Sequence, residues 1–155
     1  MPLIPSDDWV QLYDLVTRYS RGLDIRDYDL VRSVWAPEPH ISYDLSNVGV
    51  ERELLTYHSA EEMATDAEHI HAPLLATMHR NSNHWFDIDS DGATGLVYVD
   101  LFEVRVSDGV PSTVHHIGWY DDRYVRVDAE WRIKERHFKI KWSEGQWIGA
   151  RPSAE

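Results

Sequence analysis

Asp24 and His79 lie far apart in this 155-residue sequence and are the strongest candidates for acid–base chemistry. Asp24 follows a helical run and His79 opens a strand-like run, both otherwise rich in apolar residues. A carboxylate beside a histidine selects the ring tautomer and stabilises the imidazolium that forms when the ring accepts a proton. If the fold brings the two residues together, we expect a proton-transfer pair.

Asp24 also has a simpler interpretation, as a loop residue that caps a second helix beginning near Asp27. Against it, a carboxylate at a helix C-terminus faces the negative end of the helix dipole, which is locally unfavourable. A nearby histidine would compensate, so the pair with His79 remains the favoured hypothesis.

The segment around His79 has one polar face. In an extended strand His79, Asn81 and Asn83 point to one side, whereas His84 and Phe86 point to the other. A face of histidine and asparagine is unusual on the core side of a sheet, so it either faces water or lines a wet pocket. We favour the pocket and expect Asn83 to contact a substrate there.

Three further strand residues are candidates for substrate binding. His115 and His116 are adjacent, so at most one enters a pocket, and we favour His116 because its neighbours on that face are small or apolar. Asp100 lies mid-strand among apolar residues, where an unpaired buried carboxylate is costly, so it is a pocket acid or an outer-face residue. Arg136 either reaches the pocket or pairs with a surface acid.

Two tyrosines could hold a substrate oxygen. Tyr19 and Tyr43 could each donate a hydrogen bond to a carbonyl or to a leaving oxygen. The alternative is that each ring packs in the core with its hydroxyl at the rim.

Composition excludes several classes of function. The net charge of −12 repels phosphate backbones, so nucleic-acid binding is not expected. No apolar run is long enough for a membrane helix, and the N-terminus does not resemble a secretory signal. The absence of cysteine excludes thiol chemistry and disulfides and fits a cytoplasmic protein. We expect no metal and no cofactor, because His69 and His71 cannot share a helix face and no nucleotide-binding or zinc motif is present.

The elements that must position these residues are helices first and strands afterwards. A single domain over residues 1–155 is expected, with a tail over 143–155 in which Trp147 could pack on the body. This order predicts an α+β fold in which a curved antiparallel sheet is covered by three N-terminal helices and forms a cone with an interior cavity. The predicted helices start at Ser6, span residues 27–35 and start at the Ser59 capping box, ending before Pro73; the predicted strands are 40–45, 78–88, 93–106, 112–127 and 131–142, with a turn at 47–49.

Several short motifs follow one another in a fixed order along the chain: Tyr19-Ser20-Arg21-Gly22-Leu23-Asp24, Asp27-Tyr28, Val34-Trp35, His79 with Asn83, Gly118-Trp119-Tyr120-Asp121-Asp122-Arg123-Tyr124, and Trp131-Arg132-Ile133 with Arg136. In these motifs, over residues 6–142, the sequence resembles the SnoaL-like branch of the nuclear transport factor 2-like superfamily. Members of this cone-shaped fold include scytalone dehydratase, hexachlorocyclohexane dehydrochlorinase, bile-acid dehydratase, polyketide cyclases and ketosteroid isomerase, besides non-catalytic proteins.

The resemblance implies a lyase that uses no cofactor. Asp24 and His79 match the aspartate and histidine with which dehydratase and dehydrochlorinase members remove a proton, and Tyr19 matches a pocket tyrosine. We therefore expect dehydration of a small, mostly apolar, cyclic or aromatic substrate. Two alternatives stay open: an isomerase or cyclase with the same pocket, and a non-catalytic small-molecule binder in which Asp24 and His79 lie too far apart to hydrogen-bond.

Self-association as a dimer or trimer is also expected. A sheet whose inner face is filled leaves an outer face to be covered. The tryptophans at positions 119, 131, 142 and 147 offer apolar area for such an interface.

Overall fold

The computed structural model describes residues 6–46 and 54–145, which form three helices and one six-stranded sheet. The predicted α+β class, with helices covering a curved sheet, is confirmed. The turn predicted at 47–49, and the tail from residue 146 onward with Trp147, lie outside the described residues. In chain order the elements are α1 (Ser6–Ile25), α2 (Tyr28–Ser33), β1 (Trp35–Asp44), β2 (Leu54–Tyr57), α3 (Ala60–His71), β3 (Leu74–Ile88), β4 (Ala93–Ser107), β5 (Val110–Val127) and β6 (Glu130–Glu144).

The helix starts follow from capping. Asp27 accepts a hydrogen bond from the Leu30 backbone N–H at 2.9 Å and begins α2. Ser59 accepts one from the Glu62 backbone N–H at 3.1 Å and begins α3, as the capping box predicts. These two helices therefore start where a side-chain oxygen satisfies a backbone donor that has no partner within the helix.

The second helix is shorter than predicted. It ends at Ser33, and Trp35 is the first residue of β1 instead of the last of the helix. Pro37 explains the difference, since a proline disfavours the helical conformation of the residue before it, here Ala36. The strand that results is irregular, and its register with β6 shifts between Trp35 and His40.

The sheet is mixed, not purely antiparallel. Strands β3 to β6 form the predicted antiparallel meander, and β2 pairs antiparallel with β1. Strand β1, however, lies parallel to β6, which gives the order β2-β1-β6-β5-β4-β3. The sequence predicts five of the six described strands and misses β2. It does not predict the pairing of β1 with β6, because these strands lie near opposite ends of the chain.

One face of the sheet packs on the helices. Along β4, Val97, Val99 and Leu101 are buried against the helical layer, whereas Tyr98 between them is exposed on the outer side. Alternate side chains therefore sort onto two faces, as the pleat requires. The helix-facing side forms the core and, at one end, the cavity described below.

A β-bulge reverses the predicted faces at the end of β3. Asn83 has φ +48°, and the register with β4 shifts between Ser82 and Trp85. The extra residue returns His84 to the helix-facing side, where its ring lies 4.6 Å from that of Tyr13 on α1. The prediction that His84 points away from the His79 face is therefore wrong.

The outer face carries several exposed apolar side chains, among them Met78, Ile117 and Trp142. Trp131, expected there, is instead buried, and its indole N–H donates to Asp8 of α1 at 2.9 Å. Self-association through this face stays a prediction. None of the described helices is long and apolar enough to span a membrane.

The bulge generates the first testable prediction. Replacing Asn83 with Val should lower the free energy of unfolding by about 1–2 kcal/mol, because a β-branched residue is strained at positive φ whereas asparagine tolerates it. Urea unfolding measures the change. Ser82→Val, one residue earlier on the exposed face, is the matched control, and an equal effect of the two substitutions would contradict the explanation.

Candidate active site

Asp24 and His79 meet at the junction of α1 and β3. His79 Nδ1 lies 2.7 Å from Asp24 Oδ1. The same carboxylate accepts hydrogen bonds from the His79 backbone N–H at 2.9 Å and from Thr77 Oγ1 at 3.0 Å. These donors offset the unfavourable position of the carboxylate at the helix C-terminus.

This contact fixes which ring nitrogen of His79 is available for chemistry. An ionised carboxylate only accepts hydrogen bonds, so Nδ1 must carry the proton and Nε2 the lone pair. Within residues 6–46 and 54–145, no group is hydrogen-bonded to Nε2. The His79 side chain is only 5% exposed, and it forms part of a cavity wall. Nε2 is thus the nitrogen left to act on a molecule bound in the cavity.

The cavity lies between the helical layer and the sheet and is mostly apolar. Its volume is about 90 Å³. That is less than the roughly 150 Å³ that holds a benzene ring, so a ring-sized ligand must displace side chains or extend through the mouth. The lining residues are Tyr19, Leu23, Tyr43, Leu45, Leu55, Tyr57, Met63, Ala67, Ile70, His71, His79, Leu101, Glu103, His116, Tyr120, Phe138 and Ile140.

Tyr19 and Tyr43 form a donor pair in this wall. Their hydroxyl oxygens are 2.8 Å apart. Burial raises the pKa of Tyr19 and, well above its usual value, the pKa of Tyr43. Both phenols therefore stay protonated at neutral pH. One hydroxyl donates to the other, and the proton of the second hydroxyl remains for a substrate oxygen.

Two more histidines line the cavity, and both are neutral. His116 is 1% exposed, and its Nδ1 lies 2.6 Å from Ser143 Oγ. Burial lowers the pKa of His116 to about 4, helped by His115 and His79. Burial likewise lowers the pKa of His71, on α3, to about 4. As the sequence favours, His116 and not His115 faces the cavity.

Arg136 does not line the cavity and was wrongly predicted to contact substrate. It is 1% exposed, and its guanidinium donates to both carboxylate oxygens of Asp122, at 2.8 and 2.6 Å. It is held between aromatic rings, 4.3 Å from the Tyr19 centroid and 3.8 Å from that of Tyr120. Arg136 thus supports the cavity wall from behind.

Asp100 and Asn83 also lie away from the cavity, contrary to the prediction. Asp100 projects from the outer face of β4, where it bonds to His115 and, at 2.6 Å, to Arg80. Asn83 is exposed at the bulge. Side chains alternate along β4, so the even-numbered Asp100 points away from the face on which the odd-numbered residues are buried. The bulge turns Asn83 away from the face of His79.

The sequence reasoning missed Glu103, His71 and Tyr57. Glu103 lies two residues after Leu101 and therefore on the same face of β4. Assigning Leu101 to the core would have placed Glu103 on the inner face as well. His71 and Tyr57 enter the wall through the packing of α3 and β2, which no local pattern predicts. Within the described residues, no group of three or more His, Asp or Glu side chains is arranged to hold a metal ion.

This chain belongs to the SnoaL-like domain family, which it matches over residues 6–137. It is 27% identical to a dehydratase of Pestalotiopsis microspora over 144 residues, 90% of each chain. Its fold is similar to that of a candidate scytalone dehydratase from Novosphingobium aromaticivorans, with 19% identity, a TM-score of 0.76, and 96% of this chain and 94% of that chain covered. It is also similar to hexachlorocyclohexane dehydrochlorinase from Novosphingobium barchaimii, with 17% identity, a TM-score of 0.73 and 89% of each chain covered. The family resemblance is confirmed, and the two solved structures show the fold alone.

The buried histidines predict a pH dependence of stability. His71 titrates near pH 4 in the folded chain and near 6.5 when unfolded, so between these values the unfolded chain binds more protons. The free energy of unfolding should fall as the pH is lowered through this window, by up to about 3 kcal/mol for this residue. His71→Gln should remove that part of the slope in urea unfolding measured at a series of pH values.

The control for this experiment is His69→Gln, which replaces an exposed histidine of the same helix and should keep the wild-type slope. Identical slopes for wild type and His71→Gln would show that His71 is not held neutral by burial.

Proposed function

We propose that this protein is a lyase that removes water from a small, mostly apolar, cyclic or aromatic molecule bound in the cavity. The observation that carries the proposal is the 2.7 Å contact between His79 and Asp24 in the wall of an apolar cavity. Membership of the SnoaL-like family and the similarity to a dehydratase of Pestalotiopsis microspora support it.

His79 acts as the general base. Its Nε2 takes a proton from a carbon next to a carbonyl or an activated ring. Asp24 holds the ring in the tautomer that this step needs and stabilises the imidazolium that results. A positioned base of this kind contributes about 10²- to 10⁴-fold to the rate, and exclusion of water by the apolar wall strengthens every charge interaction in the site.

Tyr19 and Tyr43 hold the substrate oxygen on which negative charge develops. Both tyrosines line the same cavity as His79, and both hydroxyls remain protonated. Donors fixed in advance of reaction stabilise an enolate without reorganising, which is where such hydrogen bonds have their largest effect.

An isomerase or a cyclase would use the same base and the same donors. The mass of the product separates them, because elimination loses one water whereas isomerisation and ring closure by enolisation do not. The binding-module alternative required Asp24 and His79 to be too far apart for a hydrogen bond, and the 2.7 Å distance does not favour it.

The experiment is a turnover screen with variants at both halves of the pair. Wild-type protein is incubated with aromatic and alicyclic β-hydroxy ketones, and products are identified by mass. We expect loss of water, a decrease of kcat of at least about 100-fold in His79→Ala, and a similar decrease in Asp24→Asn, because asparagine cannot stabilise the imidazolium.

The outer face supplies a matched control. Asp100 and His115 form a second carboxylate–histidine contact on the opposite side of the same sheet, so Asp100→Asn should leave kcat within about twofold. If His79→Ala kept more than a tenth of the wild-type rate, His79 would not be the base. Ligand-induced stabilisation without any product across the screen would favour the binding module instead.

A further inference from the structure

Glu103 is a buried carboxyl group in the cavity wall that the proposed mechanism does not use. It is 6% exposed and lies on β4, the strand next to that of His79. In the register Leu101 is opposite His79 and Glu103 is opposite Thr77. Glu103 and His79 are therefore diagonal neighbours on one face of the sheet, a relation that places Cβ atoms about 7–8 Å apart. Both side chains line the same cavity, so one bound molecule can contact both.

Among the described residues, Glu103 has no hydrogen-bonded or ion-paired partner that would hold it in its ionised form. A buried carboxylate without such partners is costly, and a carboxyl group in that position favours its neutral form. Burial indeed raises the pKa of Glu103, although His79 and Arg105 act in the opposite direction.

We propose that Glu103 is the acid that completes the elimination: it donates its proton to the departing oxygen while His79 removes the proton from carbon. This inference rests on the proposed function. One C–H bond and one C–O bond break, a carbon–carbon double bond forms, and the oxygen leaves as water. His79 ends as an imidazolium and Glu103 as a carboxylate, and transfer of the proton from His79 to Glu103 restores both.

The other polar groups of the cavity suit this role less well. Tyr19 and Tyr43 have raised pKa values, which makes them good hydrogen-bond donors but poor proton donors. His71 and His116 are neutral at the pH of the reaction, and a neutral imidazole is a very weak acid. A protonated carboxyl group is the one type of acid in the described wall that can release a proton to a leaving hydroxyl near neutral pH.

The first test needs no substrate. Infrared difference spectra of wild type minus Glu103→Gln at neutral pH should show the C=O stretching band of one protonated carboxyl, shifting in D₂O. His79 on β3 and Arg105 on β4 favour the ionised form of Glu103, and His71 and His116 line the same cavity. Bands of an ionised carboxylate in place of the protonated one would overturn the inference even where the enzyme is an active lyase.

The second test uses the compound that loses water in the screen, together with its acetate ester. Glu103→Gln should lower kcat for the alcohol by at least about 100-fold with KM changed by less than about threefold. For the ester the loss should be under about tenfold, because acetate leaves without a proton. Glu103→Asp, which keeps the carboxyl group, should recover part of the activity toward the alcohol.

Glu135→Gln, the same substitution at an exposed position of β6, is the control and should match wild type with both compounds. Equal losses with alcohol and ester would mean that Glu103 has only a structural role, and the inference would be wrong while His79 remained the base. Wild-type protein that eliminates water from no compound would contradict the proposed function, and the role of Glu103 would fall with it.

Discussion

The carboxylate of Asp24 is the contact on which the arrangement of the site depends. It joins the last turn of α1 to β3 by accepting from the Thr77 hydroxyl, the His79 backbone N–H and the His79 ring. Because two of these donors belong to one residue, the direction of the imidazole is set by the backbone as well as by its side chain. The first helix and the sheet therefore cannot shift relative to each other without moving the His79 ring.

A second fixed polar group lies behind the cavity wall. Arg136 and Asp122 are both fully buried, and the cost of removing two charges from water is offset only when the geometry is excellent. Here two hydrogen bonds satisfy the carboxylate, and the guanidinium stacks on Tyr19 and Tyr120. The pair thereby fixes Tyr19, which lines the cavity. The rest of the lining is mostly apolar, so a charge in the cavity would meet donors and acceptors already in position.

Local pattern predicted the helices and the meander, and the family resemblance implied the proximity of Asp24 to His79. Local pattern failed where one backbone angle or one distant pairing decides the outcome. The bulge at Asn83 reverses the alternation of side chains and moves His84 to the inner face. A strictly alternating sequence pattern cannot predict such a reversal. On β4 the sequence pattern indicates Asp100 and not Glu103, although the two residues point to opposite faces of the strand. Which of these faces is the inner one is decided only when the helices pack on the sheet. The sequence thus predicts the types of residue at the site better than it predicts the positions that supply them.

The parallel pairing of β1 with β6 makes this fold slow to complete. Strands β3 to β6 join through short hairpins, but His40 on β1 pairs with Glu135, so a large loop must close before that contact forms. Tyr43, on the same strand, reaches the cavity only when β6 is in place to receive it. During synthesis β1 is made long before β6, so its parallel pairing edge stays open until the last strand has been made.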